Sequence, residues 1–198
     1  MSFGFTNLVP SIYDVLEQAK RRGIILLAAA SNDGASSQVS WPAREDGVLG
    51  IYASTGLGNK FPGNPAPMPN ADNFAVLGTA VKASWPRTAE LRRKSGTSTA
   101  TPLCAAIVAF AISVMRSNEQ RWLSAYDRLY PGEIDEKRRT YKAKLEAMKR
   151  KRQIARVLKL MVGCERDGYL CITPWTLFDE DRDAYTIIGA IYQAIDAK

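Results

Sequence analysis

The 198-residue chain contains no histidine. That removes the side chain that most often serves as a general base, and the commonest metal ligand, near neutral pH. Acid–base chemistry must therefore use other groups of this chain or a group from outside it. Cysteine is scarce. Cys104, Cys164 and Cys171 are an odd number without the paired spacing of a zinc site, so no metal and no cofactor is expected. Cys104 reads as a small buried hydrophobe. Cys164 and Cys171 could pair in an oxidising compartment, but reduced thiols inside a cell fit better. Long apolar runs are also missing. The longest, Leu103 to Met115, has 13 residues, short of the roughly 18 needed to span a bilayer. It predicts a core helix and no transmembrane segment. The amino terminus has no basic region leading into an apolar one, and Asp14 and Glu17 interrupt it early. No signal peptide is read, and an intracellular location is the expectation.

What is present can fold. Apolar residues make up 46% of the chain, enough for one domain, or one with a small appendage. The net charge of +7 is uneven. Lys137 to Lys159 holds 11 Lys or Arg against one acid, Glu146, which leaves −3 for everything else. The fold as a whole is not strongly basic, and no specific nucleic-acid partner is implied.

Apolar residues at Ile12, Val15, Leu16 and Ala19 predict a helix over residues 10–22, with Ser11 as N-cap and Gly23 at its end. Residues 24–30 form a continuous apolar run, as in a parallel strand buried on both faces. Residues 47–53 and 74–77 read as further strands, and residues 56–73 as a loop rich in Gly, Pro and Asn. Helix and strand alternating at this spacing predict an α/β fold with a doubly wound parallel sheet. Ile134, Tyr141, Leu145, Met148, Ala155, Leu158 and Val162 recur at helical steps. They predict one basic amphipathic helix over residues 133–162, closed by Gly163, whose charged face could meet an acidic partner. Few aromatics interleave with the basic residues, against base stacking. A last helix is expected near residues 184–197.

Two segments carry chemistry. Gly96-Thr97-Ser98-Thr99-Ala100-Thr101-Pro102 precedes the apolar run. Gly96 permits a sharp turn, and Pro102 is tolerated in the first turn of a helix. Ser98 would then face free backbone N–H groups and the positive end of the helix dipole, surroundings suited to a developing oxyanion. The plain alternative is a serine N-cap. Upstream, the strand ending Ala28-Ala29-Ala30-Ser31 delivers Asn32 at its carboxyl end, before Asp33-Gly34. By itself Asn-Asp-Gly reads as a turn.

Together the two segments, in this order, resemble the subtilisin-like serine peptidases, and Met1-Ser2-Phe3-Gly4 is similar to that family's substrate-lining strand. The resemblance covers residues 1–116 and leaves residues 117–198 as a mainly helical C-terminal extension. It implies a polypeptide substrate, Ser98 as nucleophile, and Asn32 as oxyanion donor beside the Ser98 backbone N–H. Ser2, Phe3 and Gly4, with Ala29, Ala30 and Ser31, would line the substrate cleft. The family's Asp and His, which precede the serine, have no counterpart here. Neither Asp-Thr/Ser-Gly nor His-Gly-Thr occurs, so the expectation is the C-terminal part of a catalytic domain, inactive as it stands. Lys94, four residues before Ser98, reads as a solvated loop residue and not as a replacement base, and no spacing recruits Asp33 or Asp46. The rival reading is a non-catalytic interaction or regulatory module built on half a peptidase fold.

Overall fold

A computed structural model describes residues 1–88 and 90–196. Its frame is a five-stranded sheet. Strands β1 (Leu26–Ala29), β2 (Val48–Ser54) and β3 (Phe74–Leu77) run parallel. β7 (Tyr169–Ile172) adds in parallel to β3, and β6 (Val162–Arg166) closes the far edge antiparallel to β7. At the other edge, the Met1 carbonyl accepts from the Ala29 N–H at 3.0 Å, so the start of the chain lies along β1. The mostly parallel sheet and its helices are the α/β fold the sequence predicts.

Strand β2 is buried along its whole length, and its side chains alternate between two cores. Leu49, Ile51 and Ala53 join Phe74 and Val76 on the helix-covered face. Val48 and Tyr52 join Ala28, Ala75, Val39 and Ala43 on the other. Burial on both faces explains why this strand reads as an unbroken apolar run.

Helix α1 (Pro10–Arg21) starts with Pro10 in its first turn and Val9 as N-cap, so Ser11 is not the cap. Proline takes the first position easily because the missing N–H would be unbonded there anyway. Helix α2 (Thr97–Ser117) extends the 13-residue run to 21 residues. Its length and composition would suffice to cross a membrane. In this fold Ala100, Cys104, Val108, Ala111 and Met115 are buried in the core that covers the sheet.

The C-terminal extension differs from expectation in two places. The single helix expected over residues 133–162 is two, α4 (Ile134–Ala147) and α5 (Lys151–Lys159), after α3 (Glu119–Leu129). Tyr141, Lys144 and Met148 are buried before the break, and Ile154, Val157 and Leu158 after it. At 3.6 residues per turn, one straight helix would put Ile154 and Val157 on the side away from Tyr141. Extended backbone at Arg150 re-aims the second stretch, so both buried sets reach one core. Val162 and Gly163 then belong to β6, not to a helix end. The β6–β7 hairpin turns at Asp167-Gly168, both at positive φ, and joins the extension to the main sheet. Helix α6 (Ala184–Asp196) packs beside α5; residue 197 lies outside the described residues.

Residues 78–95 are not a plain lead-in to the serine. Within this stretch β4 (Val81–Ser84) and β5 (Leu91–Lys94) pair as an antiparallel ribbon, separate from the main sheet.

Candidate active site

Asn32, just past the carboxyl end of β1, meets Thr97, the residue before Ser98, at the start of α2. β1 ends at Ala29, and three residues later Asn32 reaches the amino terminus of α2. The Thr97 backbone N–H donates to Asn32 Oδ1 at 2.8 Å, and Thr97 Oγ1 lies 3.2 Å from the same oxygen. Thr97 Oγ1 also donates to the Ser31 carbonyl at 3.1 Å. The amide oxygen is thus held by the helix terminus, and the NH2 side remains to donate elsewhere. Thr97 itself is fully buried.

Gly96 makes this junction possible. Its φ is 141°, and a Cβ there would stand 2.9 Å from Asn32 Oδ1 and 3.2 Å from Nδ2. Any side chain would displace the asparagine. On the other side of the junction, Ser31 holds φ 156°, and its hydroxyl donates to Asp33 Oδ2 at 2.7 Å.

Ser98 is the second residue of α2, so its N–H lies among those with no partner inside the helix. Its side chain is exposed, with Oγ 3.4 Å from the Ser2 carbonyl. In return Ser2 Oγ donates to the Ser98 carbonyl at 3.0 Å. That carbonyl is available because Pro102, four residues on, has no N–H to bond it. Pro102 is the sixth residue of α2, just past the first turn where the sequence pattern placed it.

Of the cleft residues expected, Ser2, Phe3 and Gly4 are exposed, between Met1 on β1 and Phe5, which pairs with Trp41. Ala29, Ala30 and Ser31 are buried. The Ala30 carbonyl accepts from Ser40 at 2.7 Å and the Ala30 N–H donates to Ile51. Ser31 is engaged by Thr97. Of the six, only Ser2 to Gly4 are open to solvent. Gly4 lies against Ser40, whose Cβ would be 2.6 Å from an added Cβ.

Among the described residues the hydrogen-bond partner of the Ser98 hydroxyl is the Ser2 carbonyl, and the side chains weighed as bases are engaged elsewhere. Lys94 lies over the Trp85 ring, 4.5 Å from its centroid. Asp33 takes the Ser31 hydroxyl, and Asp46 lies 3.8 Å from Lys151. The described residues contain no cluster of three or more potential metal ligands. Thr97 is the site residue that sequence reasoning passed over. Its signal was its place between Gly96 and Ser98, where a hydroxyl and an N–H can both turn inward.

The sequence model of the subtilase family of peptidases matches residues 1–130. The chain belongs to the subtilase family. No curated protein sequence matches it. Among solved structures, the subtilase fold is shared with the prenylagaramide maturation protease PagA, at TM-score 0.60 and 15% identity, over all of this chain and 61% of that one. The patellamide maturation protease PatA superposes at TM-score 0.60 and 16% identity, over 96% of this chain and 61% of that one. The PatG macrocyclase domain gives TM-score 0.54 and 18% identity, over 59% of this chain and 36% of that one. The chain therefore spans less than two thirds of the length of these structures.

Proposed function

We propose that this subtilase chain carries the nucleophile and oxyanion half of a serine endopeptidase site, with the general base supplied from outside these 198 residues. Ser98 Oγ would attack the scissile carbonyl of a polypeptide laid along Ser2 to Gly4. The Asn32 side-chain amide and the Ser98 backbone N–H would receive the oxyanion. The observation that carries this reading is the Thr97 N–H to Asn32 Oδ1 bond, which fixes an otherwise exposed amide beside the serine.

A serine hydroxyl attacks poorly unless a base takes its proton. In this chain Ser98 Oγ meets the Ser2 carbonyl, a hydrogen-bond acceptor that cannot hold the proton through the reaction. The chain alone is accordingly proposed to be inactive. The absence of histidine also supports a second reading, a non-catalytic interaction module. Fusing the Asp- and His-bearing segment of a subtilase ahead of these residues separates the two. Casein hydrolysis that depends on Ser98 supports the peptidase; a folded fusion without hydrolysis supports the module.

A further inference from the structure

The β4–β5 ribbon carries an arrangement that folding does not favour. From Val81 to Lys94 it holds Lys82, Arg87, Arg92, Arg93 and Lys94 against one acid, Glu90. Lys82 stands directly opposite Arg93 in the antiparallel register, and like charges so placed repel. Among the described residues no carboxylate lies within 4.0 Å of either cation, although Arg93 donates to the Ala80 carbonyl at 3.0 Å. On the opposite face Arg92 and Lys94 lie over Trp85, 4.9 and 4.5 Å from the ring centroid. The basic helices are different. Lys149 meets Glu146 at 2.6 Å, Lys159 meets Asp72 at 2.7 Å, and buried Lys144 meets Asp196. Much of the helical charge is answered within the chain; the Lys82–Arg93 pair has no such acid.

The ribbon is also fixed beside the candidate site. The Gly96 N–H donates to the Gly78 carbonyl at 2.8 Å, and the Ala80 N–H to Ser95 Oγ at 2.9 Å. Two strands forming a sheet of their own leave an outer edge on each, open to pairing with an extended chain. Residues of β5 are exposed throughout, and those of β4 are exposed after Val81.

We propose that the β4–β5 ribbon is a docking arm for an acidic segment of polypeptide, whose carboxylates are received by Lys82 and Arg93. The open edges favour a polypeptide over a polynucleotide, because main-chain hydrogen bonds can add to the charge contacts. The inference does not depend on the peptidase reading, because binding is measurable without turnover.

The test uses the whole chain and a dye-labelled peptide alternating Glu and Gly, followed by fluorescence anisotropy at low ionic strength. Binding should exceed that of the matching Gln–Gly peptide and weaken with salt. Lys82→Glu and Arg93→Glu should each lower affinity by about fivefold or more, the scale of one exposed ion pair lost and a repulsion gained. Lys82→Gln, a milder change, should lower it less, and circular dichroism should show each variant folded. Lys149→Glu with Arg152→Glu, on the helices, should leave binding unchanged. Equal binding of the Gln peptide, equal binding by folded Lys82→Glu, or an equal loss in the helix variant would overturn the proposal. So would an oligothymidine that displaces the acidic peptide at lower concentration than the unlabelled peptide itself.

Discussion

The Thr97 backbone N–H and the Asn32 side-chain oxygen, 65 positions apart in sequence, are bonded at 2.8 Å. One hydrogen bond thus couples the end of β1 to the start of α2. It engages the oxygen of the Asn32 amide and leaves the NH2 group for the proposed oxyanion role. In an enzyme completed with a base, Asn32→Ala should lower turnover by about 10²–10³-fold, the known cost of deleting the oxyanion asparagine in subtilisin. The Michaelis constant should change little, because the donor acts mainly on charge that develops in the transition state. A large rise in that constant with unchanged turnover would place Asn32 in substrate binding instead.

Gly96→Ala tests the same junction from the other side. The new methyl would meet Asn32 Oδ1 at 2.9 Å, with backbone at φ 141°. A loss of about 1–3 kcal/mol in unfolding free energy is expected, the scale of one strained backbone position. A restored enzyme should lose activity in Gly96→Ala much as it does in Asn32→Ala. Wild-type stability and activity in this variant would show that the asparagine is not held as described.

Burial sets the order in which the cysteines react. The Cys104 thiol is pushed up to about 12 from the ordinary 9.0 by loss of solvation. Burial, then a hydrogen bond with Cys164, raises Cys171 to about 11. In mildly alkaline iodoacetamide, mass spectrometry of the folded chain should find Cys164 modified before Cys171 and Cys104. A raised folded value means that the native state holds its proton more tightly. The contribution is present below about pH 9 and is lost as pH rises toward 12. Urea midpoints should therefore fall further between pH 9 and 11 for the wild type than for Cys104→Ala, which lacks the thiol. Parallel pH curves would contradict the assignment.

Tyr141 ties helix α4 to helix α2. Its hydroxyl donates to the Met115 carbonyl at 2.7 Å, out of solvent. Tyr141→Phe should cost about 1–2 kcal/mol, since the bond goes and the Met115 carbonyl is left buried. Leu158→Ala, at a fully buried position of α5, should cost about 2–5 kcal/mol. Both changes should lower one cooperative transition. A separate, earlier melting step would mean that helices α4 and α5 unfold independently of the rest.

The serine turn was legible because Gly96 permits a backbone that a side chain would strain, and Pro102 fits a helix only near its start. β2 and β3 were legible because burial on both faces leaves an unbroken apolar run. The β4–β5 ribbon was not. β5, Leu91-Arg92-Arg93-Lys94, shows no alternation of apolar and polar side chains, and the alternation in β4 spans only Val81 to Ser84, too short to stand out in a largely exposed segment. The break at Arg150 carries neither proline nor glycine, and shows only as a rotation of the buried face between Met148 and Ile154. A usable signal was present at Asp167-Gly168, a pair suited to a two-residue hairpin, between strands too short to stand out alone. The Pro102 effect on the Ser98 carbonyl needed coordinates, because the Ser2 hydroxyl that takes it lies 96 positions away.

The most direct test is fluorophosphonate labelling followed by peptide mass spectrometry, on these 198 residues alone and on their fusion to an Asp- and His-bearing subtilase segment. The account predicts no label on the chain alone, and a label on Ser98 in the fusion that disappears in Ser98→Ala. A label on the chain alone that is lost in Ser98→Ala would reveal a base within these residues. A folded fusion labelled elsewhere, or not at all, would remove Ser98 from its proposed role.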